Sequence, residues 1–191
     1  FPGVKALEGV SFTLRKGGIM ALQRENGAGK SALIKVLTGV NARNQGSILL
    51  NGREISPRST GQAQESGIGT VCQEVNLLPN MSVADNLFMG REPRRFGLID
   101  RRTLNRKANE LLREYGFELD VTAPLGVFSV AMQQIIAICR AVDLSGQILI
   151  LDEPTASLDT SEVEMLFTLM ERLKAKGMSL IFVTHSLEQI Y

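Results

Sequence analysis

Ile148-Leu149-Ile150-Leu151-Asp152-Glu153-Pro154-Thr155-Ala156-Ser157-Leu158-Asp159 is the stretch that decides the fold. Its apolar run reads as a buried strand, and it ends on two adjacent carboxylates before a proline, a Ser-Leu-Asp turn and a helix start. Placing Asp152 and Glu153 at a strand end costs desolvation unless a cation or a reacting water uses them. Far upstream, Asn26-Gly27-Ala28-Gly29-Lys30-Ser31 follows a second short apolar run, Ile19-Met20-Ala21-Leu22. Together the two stretches point to nucleotide hydrolysis with magnesium.

Working outward, strand-like and helix-like patterns alternate at both ends of the chain. Val10-Ser11-Phe12-Thr13-Leu14 alternates as a half-buried strand, Gly17-Gly18 is a turn, and residues 19–22 read as a short buried strand. A helix is predicted from about Lys30 to Thr38, with Gly39 as its stop. Residues 47–50 read as a strand before an Asn51-Gly52 hairpin turn, and residues 68–72 as a strand ending at Gln73-Glu74. From about Ser82 to Ala123 the pattern turns helical. Asp100 caps a helix carrying Leu104, Ala108, Leu111, Leu112 and Tyr115, with Gly116 at its end. A further helix opens at Ser129 and carries Ile135, Ile136, Ile138 and Val142. Ser161 and Glu164 have capping-box spacing for a helix ending near Gly177, and residues 179–184 are a last buried strand leading into His185. The expected fold is an α/β core with a largely parallel sheet and an all-helical insert. Ligands in such folds bind at the carboxyl ends of strands, where the glycine loop, Gln73, Asp152-Glu153 and His185 all fall.

Composition is compatible with this and excludes little else. The chain has 191 residues, 44% hydrophobic and 21% charged, enough for one domain with a sizeable core. Its net charge of +1 gives no global field for nucleic acid. Residues 91–113 hold eight Arg/Lys against three Asp/Glu, which reads first as a solvated helical face and second as contact with a protein partner. Aromatics are not interleaved there, so nucleic acid ranks third. Cys72 and Cys139 lack metal-like spacing and read as small buried hydrophobes. No signal peptide opens the sequence and no apolar run approaches a membrane span, so any work at a membrane is expected to go through a partner.

The chemistry of each motif follows from its residue types. Gly27 and Gly29 free the backbone to wrap a phosphate, Lys30 reaches the β and γ phosphates, and Ser31 offers magnesium a hydroxyl. Asn26 and Ala28 contribute backbone, and the following helix presents its positive end to the same anion. The full pattern would place glycine at position 24, where this chain has Arg24. Asp152 suits a magnesium role and Glu153 a general base on the attacking water. His185 is a candidate for γ-phosphate contact. Gln73 carries an amide able to bind magnesium or the water, and Phe1 could stack on an adenine ring.

Taken together, these residues resemble the ATP-binding subunits of ABC transporters. The phosphate loop, Gln73, Phe128-Ser129-Val130-Ala131-Met132-Gln133-Gln134 before a helix, the acidic strand and Thr184-His185 occur in that family's order over essentially the whole chain. Phe1-Pro2-Gly3-Val4-Lys5-Ala6-Leu7, ENGAGKS, QEVNLLPNMSVADNLFMGRE and FSVAMQQ look most like the amino-terminal cassette of tandem sugar-importer ATPases, nearest the galactofuranose-type branch. The resemblance implies one cassette over 1–191. Its α/β P-loop core would cover about 1–81 and 144–191, and its helical subdomain about 82–143.

It further implies that the phosphate loop, including Arg24, Glu25 and Ala32, binds ATP with magnesium held through Ser31, Gln73 and Asp152. Glu153, Gln73 and His185 would be catalytic. Ser129, Val130, Ala131, Met132 and Gln133 would form a signature segment facing the nucleotide of a second cassette, and Ser157 and Asp159 an interface turn. Implied partners are that second cassette, transmembrane permease subunits and, indirectly, a sugar-binding protein, at the cytoplasmic face of the inner membrane. Nucleic acid is not among them. Val130-Ala131 stand where the family commonly has two glycines, and Ala32 where it usually has threonine. A hydroxyl donor lost to a charged phosphate oxygen costs roughly 1.5–3 kcal/mol. Sequence ending at Tyr191 is expected to be a piece of a longer protein. A nucleotide-binding module with little hydrolysis remains a second reading, favoured by Arg24 and Ala32 and opposed by the intact Lys30, Ser31, Asp152, Glu153 and His185. A soluble relative acting in translation or DNA repair is a third.

Overall fold

The computed structural model describes residues 9–23, 28–71, 77–155 and 158–184, with Gln23 and Ala28 described by backbone alone. In chain order the elements begin with β1 (Ile19–Gln23), α1 (Ala28–Leu37), β2 (Ile48–Leu50), β3 (Arg53–Ile55), α2 (Thr60–Glu65) and β4 (Ile68–Val71). Next come α3 (Val83–Phe88), β5 (Arg94–Arg95), β6 (Leu98–Ile99) and α4 (Arg101–Glu114). After a 3-10 turn at Leu125–Val127, α5 (Val130–Ser145), β7 (Ile148–Asp152), α6 (Thr160–Ala175) and β8 (Ser179–Thr184) complete the series.

The sheet has the order β1-β8-β7-β4, and every neighbouring pair is parallel. Its inner strands are the apolar runs read above, as expected where helices cover both faces. Alternate residues of β7 and β8 enter two separate cores. Leu149, Leu151, Leu180 and Phe182 pack with Ile135, Ile136, Ile138, Leu166 and Leu169 of α5 and α6. Ile150, Ile181 and Val183 pack with Ile34 of α1 and Ala63 of α2. The sheet is thus sandwiched, and its register leaves Gln23 opposite Thr184 and Asp152 opposite Val183 at one edge.

Four sequence expectations change. Residues 10–14 form no strand; Val10 and Phe12 are exposed, and no ladder partner meets them among the described residues. Alternation alone does not make a strand when no neighbour takes its N–H and C=O groups. β1 is a strand but not a buried one: it lies at the edge of the described sheet, with Ile19 and Ala21 exposed. The capping box of α6 is Asp159 with Glu162, two residues before the Ser161/Glu164 pair. Both spacings satisfy the pattern, and Ser161 instead donates to Asp159 at 2.7 Å. Finally, residues 82–123 are not all helical, because the β5–β6 hairpin interrupts them. The remaining expectations for described elements hold, including the Asp100 cap of α4, the Ser129 cap of α5 and the Asn51-Gly52 turn between β2 and β3.

Candidate nucleotide site at the carboxyl edge of the sheet

β1 and β7 flank β8, so the exits of the phosphate-loop strand and the acidic strand lie two strands apart, about 10 Å at ordinary strand spacing. α1 begins at Ala28, just past the β1 exit, and carries Gly29, Lys30, Ser31 and Ala32 in its opening turn. Lys30 is buried, and its ammonium donates to the backbone carbonyl of Thr184 at 3.0 Å, at the end of β8. This bond ties the lysine to the strand that precedes His185. Ser31 is exposed and Ala32 half-buried on the same turn. The first turn of α1 contains no acidic residue, although helix N-termini favour one. A positive helix end carrying a buried lysine is a place for an anion supplied from outside.

Asp152 closes β7 and is half-buried. Glu153 follows in the left-handed region at φ 50°, where a side chain with a Cβ is strained. Its backbone N–H donates to the carbonyl of Val183 at 2.8 Å, which pins the bend to the end of β8. The chain then turns inward through buried Pro154 and Thr155. Asp159 caps α6: its carboxylate accepts from the Glu162 N–H at 2.9 Å, and Glu162 accepts from the Asp159 N–H at 3.2 Å. The Glu162 N–H and the Ser161 hydroxyl hold the Asp159 carboxyl below the ordinary aspartate value of 3.8. Among the described residues no three His, Cys, Asp or Glu side chains gather into a metal cage. Ser31 in the opening turn of α1 and Asp152 at the end of β7 are oxygen donors, the ligand type that suits magnesium, which keeps waters and takes substrate phosphates beside one or two protein ligands.

The five signature candidates sit elsewhere. Ser129 caps α5, its hydroxyl accepting from the Met132 N–H at 3.3 Å, and Gln133 donates to the Phe128 carbonyl at 2.9 Å. Ser129 and Val130 are exposed, whereas Ala131 is buried. The segment entering Ser129 is held by the turn before α3: Leu125 N–H meets the Met81 carbonyl and Gly126 N–H the Pro79 carbonyl, each at 2.9 Å. Phe1, Arg24, Glu25, Asn26, Gly27, Gln73, Ser157 and His185 lie outside the described residues, as does Cys72.

One residue escaped the sequence reading. Asn86 on α3 is fully buried; it accepts from the Leu78 N–H at 2.7 Å and donates to the carbonyls of Leu78 at 2.9 Å and Ser82 at 3.0 Å. It therefore fixes the turn that leads out of residues 72–76 and braces the entry to Ser129. The only signal was a lone amide among Val83, Ala84, Leu87 and Phe88.

Comparisons with known proteins agree with this geometry. The chain is 67% identical over 191 residues to the galactofuranose transporter ATP-binding protein YtfR of Escherichia coli K12, covering all of this chain and 38% of that protein. It is 48% identical over 192 residues to the fructose import ATP-binding protein FruK of Bifidobacterium longum, covering 37% of it. A crystal structure of an ATP-binding cassette of an ABC transporter in its ADP conformation superposes with a TM-score of 0.86 at 25% identity, covering all of this chain and 79% of that one. The chain spans little more than a third of the length of the curated relatives it matches. The sequence model of the ABC transporter family matches residues 7–156, from ahead of β1 to beyond the acidic end of β7, and the chain belongs to that family.

Proposed function

We propose that this chain binds ATP at the carboxyl edge of its sheet and contributes that site to an ATPase that drives sugar import. The observation that carries the reading is the placement of Lys30. It is buried in an acid-free helix first turn and anchored to the end of β8, beside the strand that ends in Asp152 and Glu153. In this arrangement the α1 N-terminus and Lys30 hold the phosphates. Ser31 and Asp152, with Gln73, would hold magnesium, which when bound neutralises charge on the phosphates. Glu153, fixed by the bond from its N–H to Val183, takes a proton from the attacking water, and His185 contacts the γ-phosphate.

The exposed Ser129 cap supports a signature segment reaching the nucleotide of a second cassette. Residues 82–143 form the helical subdomain in this reading, with residues 1–81 and 144–191 as the α/β core. The relatives' names, a galactofuranose transporter ATP-binding protein and a fructose import ATP-binding protein, support sugar import with galactofuranose as cargo of the assembled transporter. Import by an ABC transporter in turn calls for a transmembrane permease and a sugar-binding protein as partners and the cytoplasmic membrane face as location. Among the described residues no helix is long and apolar enough to cross a membrane.

Turnover tests the assignment. In the full-length protein Glu153→Gln should lower kcat by about 10²–10⁴-fold while ATP stays bound. Unchanged turnover would remove Glu153 from the role of base.

A further inference from the structure

The loop that follows α1 and the segment that follows β3 together line a cavity of about 460 Å³. Arg43, Ser56 and Arg58 bring polar groups to it, and Val40, Ile48 and Pro57 supply apolar wall. That volume lies in the range of small-molecule sites, which combine apolar lining with a few polar groups.

Arg43 is the unusual member. Its Nη2 pairs with Glu54 of β3. Its Nη1 is buried and has no hydrogen-bond partner among the described residues. A buried donor left unsatisfied costs free energy, and a charged one costs more. Carbonyls close by in sequence are already engaged: that of Lys35 accepts from the Asn41 N–H at 2.9 Å, and that of Val36 from the Gly39 N–H at 3.2 Å. Arg58 lines the same cavity, and its guanidinium makes no ion pair among the described residues. Only its backbone N–H is used, donating to the Gln62 side chain at 2.9 Å. None of the lining residues is acidic, so two guanidiniums meet there with Glu54 as the one paired carboxylate.

We propose that this cavity binds a small organic phosphate, its phosphate held by Arg43, Arg58 and Ser56 and its carbon skeleton lying on Val40, Ile48 and Pro57. A phosphate monoester presents three terminal oxygens to these three donor-bearing side chains, whereas a carboxylate presents two. Guanidinium suits such oxygens because its planar fork can bind two at once. Inorganic phosphate alone would leave the apolar wall uncovered. The cavity is separate from the candidate nucleotide site, because it lies beyond the far end of α1, about 15 Å along its helical residues.

The test is calorimetry on the full-length protein saturated with magnesium and a non-hydrolysable ATP analogue. The probes are glucose 6-phosphate, glycerol 3-phosphate, glucose and inorganic phosphate. At least one organic phosphate should bind, inorganic phosphate should bind more weakly, and glucose should not bind. Arg43→Gln and Arg58→Gln should each lower organic-phosphate affinity about tenfold or more. Glu54→Gln removes the competing carboxylate and keeps both guanidiniums, so it should bind at least as tightly as the parent. No binding of either organic phosphate by the parent, or no loss in the two arginine variants, overturns the proposal. An equal loss in Glu54→Gln and Arg43→Gln also overturns it, because the Arg43–Glu54 pair would then act only by holding the β2–β3 hairpin. Inorganic phosphate or glucose binding as tightly as the organic phosphates would overturn the assignment of the occupant.

Discussion

α1 and α6 both start beyond the carboxyl edge of one sheet, yet their first turns are built in opposite ways. α6 uses its own sequence to satisfy itself: Asp159 and Glu162 exchange bonds with each other's backbone, and acid meets the positive helix end. α1 has no acid in its first turn and adds the buried cation Lys30. Stability alone favours the first design. The second makes sense where an anion arrives from outside, so the contrast separates a helix start that belongs to the fold from one that belongs to a ligand.

The sheet beneath both helices offers the largest perturbation. Leu149 and Ile150 are adjacent, fully buried and face opposite cores, Leu149 that of α6 and Ile150 that of α1. Each truncation to alanine should cost about 2–5 kcal/mol in denaturant unfolding. A far smaller loss at Ile150 would mean that the α1 layer is loosely packed and the contrast is one of order, not of chemistry.

The phosphate cradle sharpens the comparison at the next scale. Arg24→Gly combined with Ala32→Thr restores the missing glycine and hydroxyl. The hydroxyl should strengthen magnesium-ATP binding by roughly 1.5–3 kcal/mol. Calorimetry showing no gain would mean that these positions do not weaken the cradle.

The smallest effect belongs to α6. Asp159→Ala should lower the melting temperature by about 2–4 °C at neutral pH. The Asp159 carboxyl is held below its ordinary value of 3.8, first by the Glu162 N–H and then by the Ser161 hydroxyl. Its stabilisation is therefore present above pH 3.8 and is lost as pH falls through the lowered native value. Melting scans of Asp159→Ala should accordingly show a flatter acid limb than the parent. An unchanged limb would place the acid sensitivity on other carboxyls.

Much of this was legible in the sequence because it depends on local pattern. The apolar run into Asp152 marked β7, and Asp100 and Ser129 marked their helices, since caps and buried strands leave signals within a few residues. What failed depended on neighbours far along the chain. Residues 10–14 alternate correctly but find no ladder among the described residues, and Ile19–Gln23 ends up at the edge of the described sheet. Asn86 looked like an ordinary helical residue until its amide met Leu78 and Ser82. The β5–β6 hairpin was unreadable for another reason: its strands have two residues each, and its turn uses phenylalanine where turn chemistry calls for asparagine. At the site itself, sequence named Lys30, Asp152 and Glu153, whereas the anchoring of Lys30 to Thr184 and the left-handed bend at Glu153 came only from the structure.

The most direct test of the account is magnesium-ATP affinity in the parent, Lys30→Met and Asp159→Ala, measured in one calorimetric series on folded protein. On this single chain, with no facing cassette, Lys30→Met should lose about 10–150-fold in affinity, the value of a charge-assisted hydrogen bond, while Asp159→Ala, whose interface role needs the second cassette, binds like the parent. Equal affinity for Lys30→Met and the parent, or an equal loss in both variants, would contradict the claim that the start of α1 is the anion site and the start of α6 is structural.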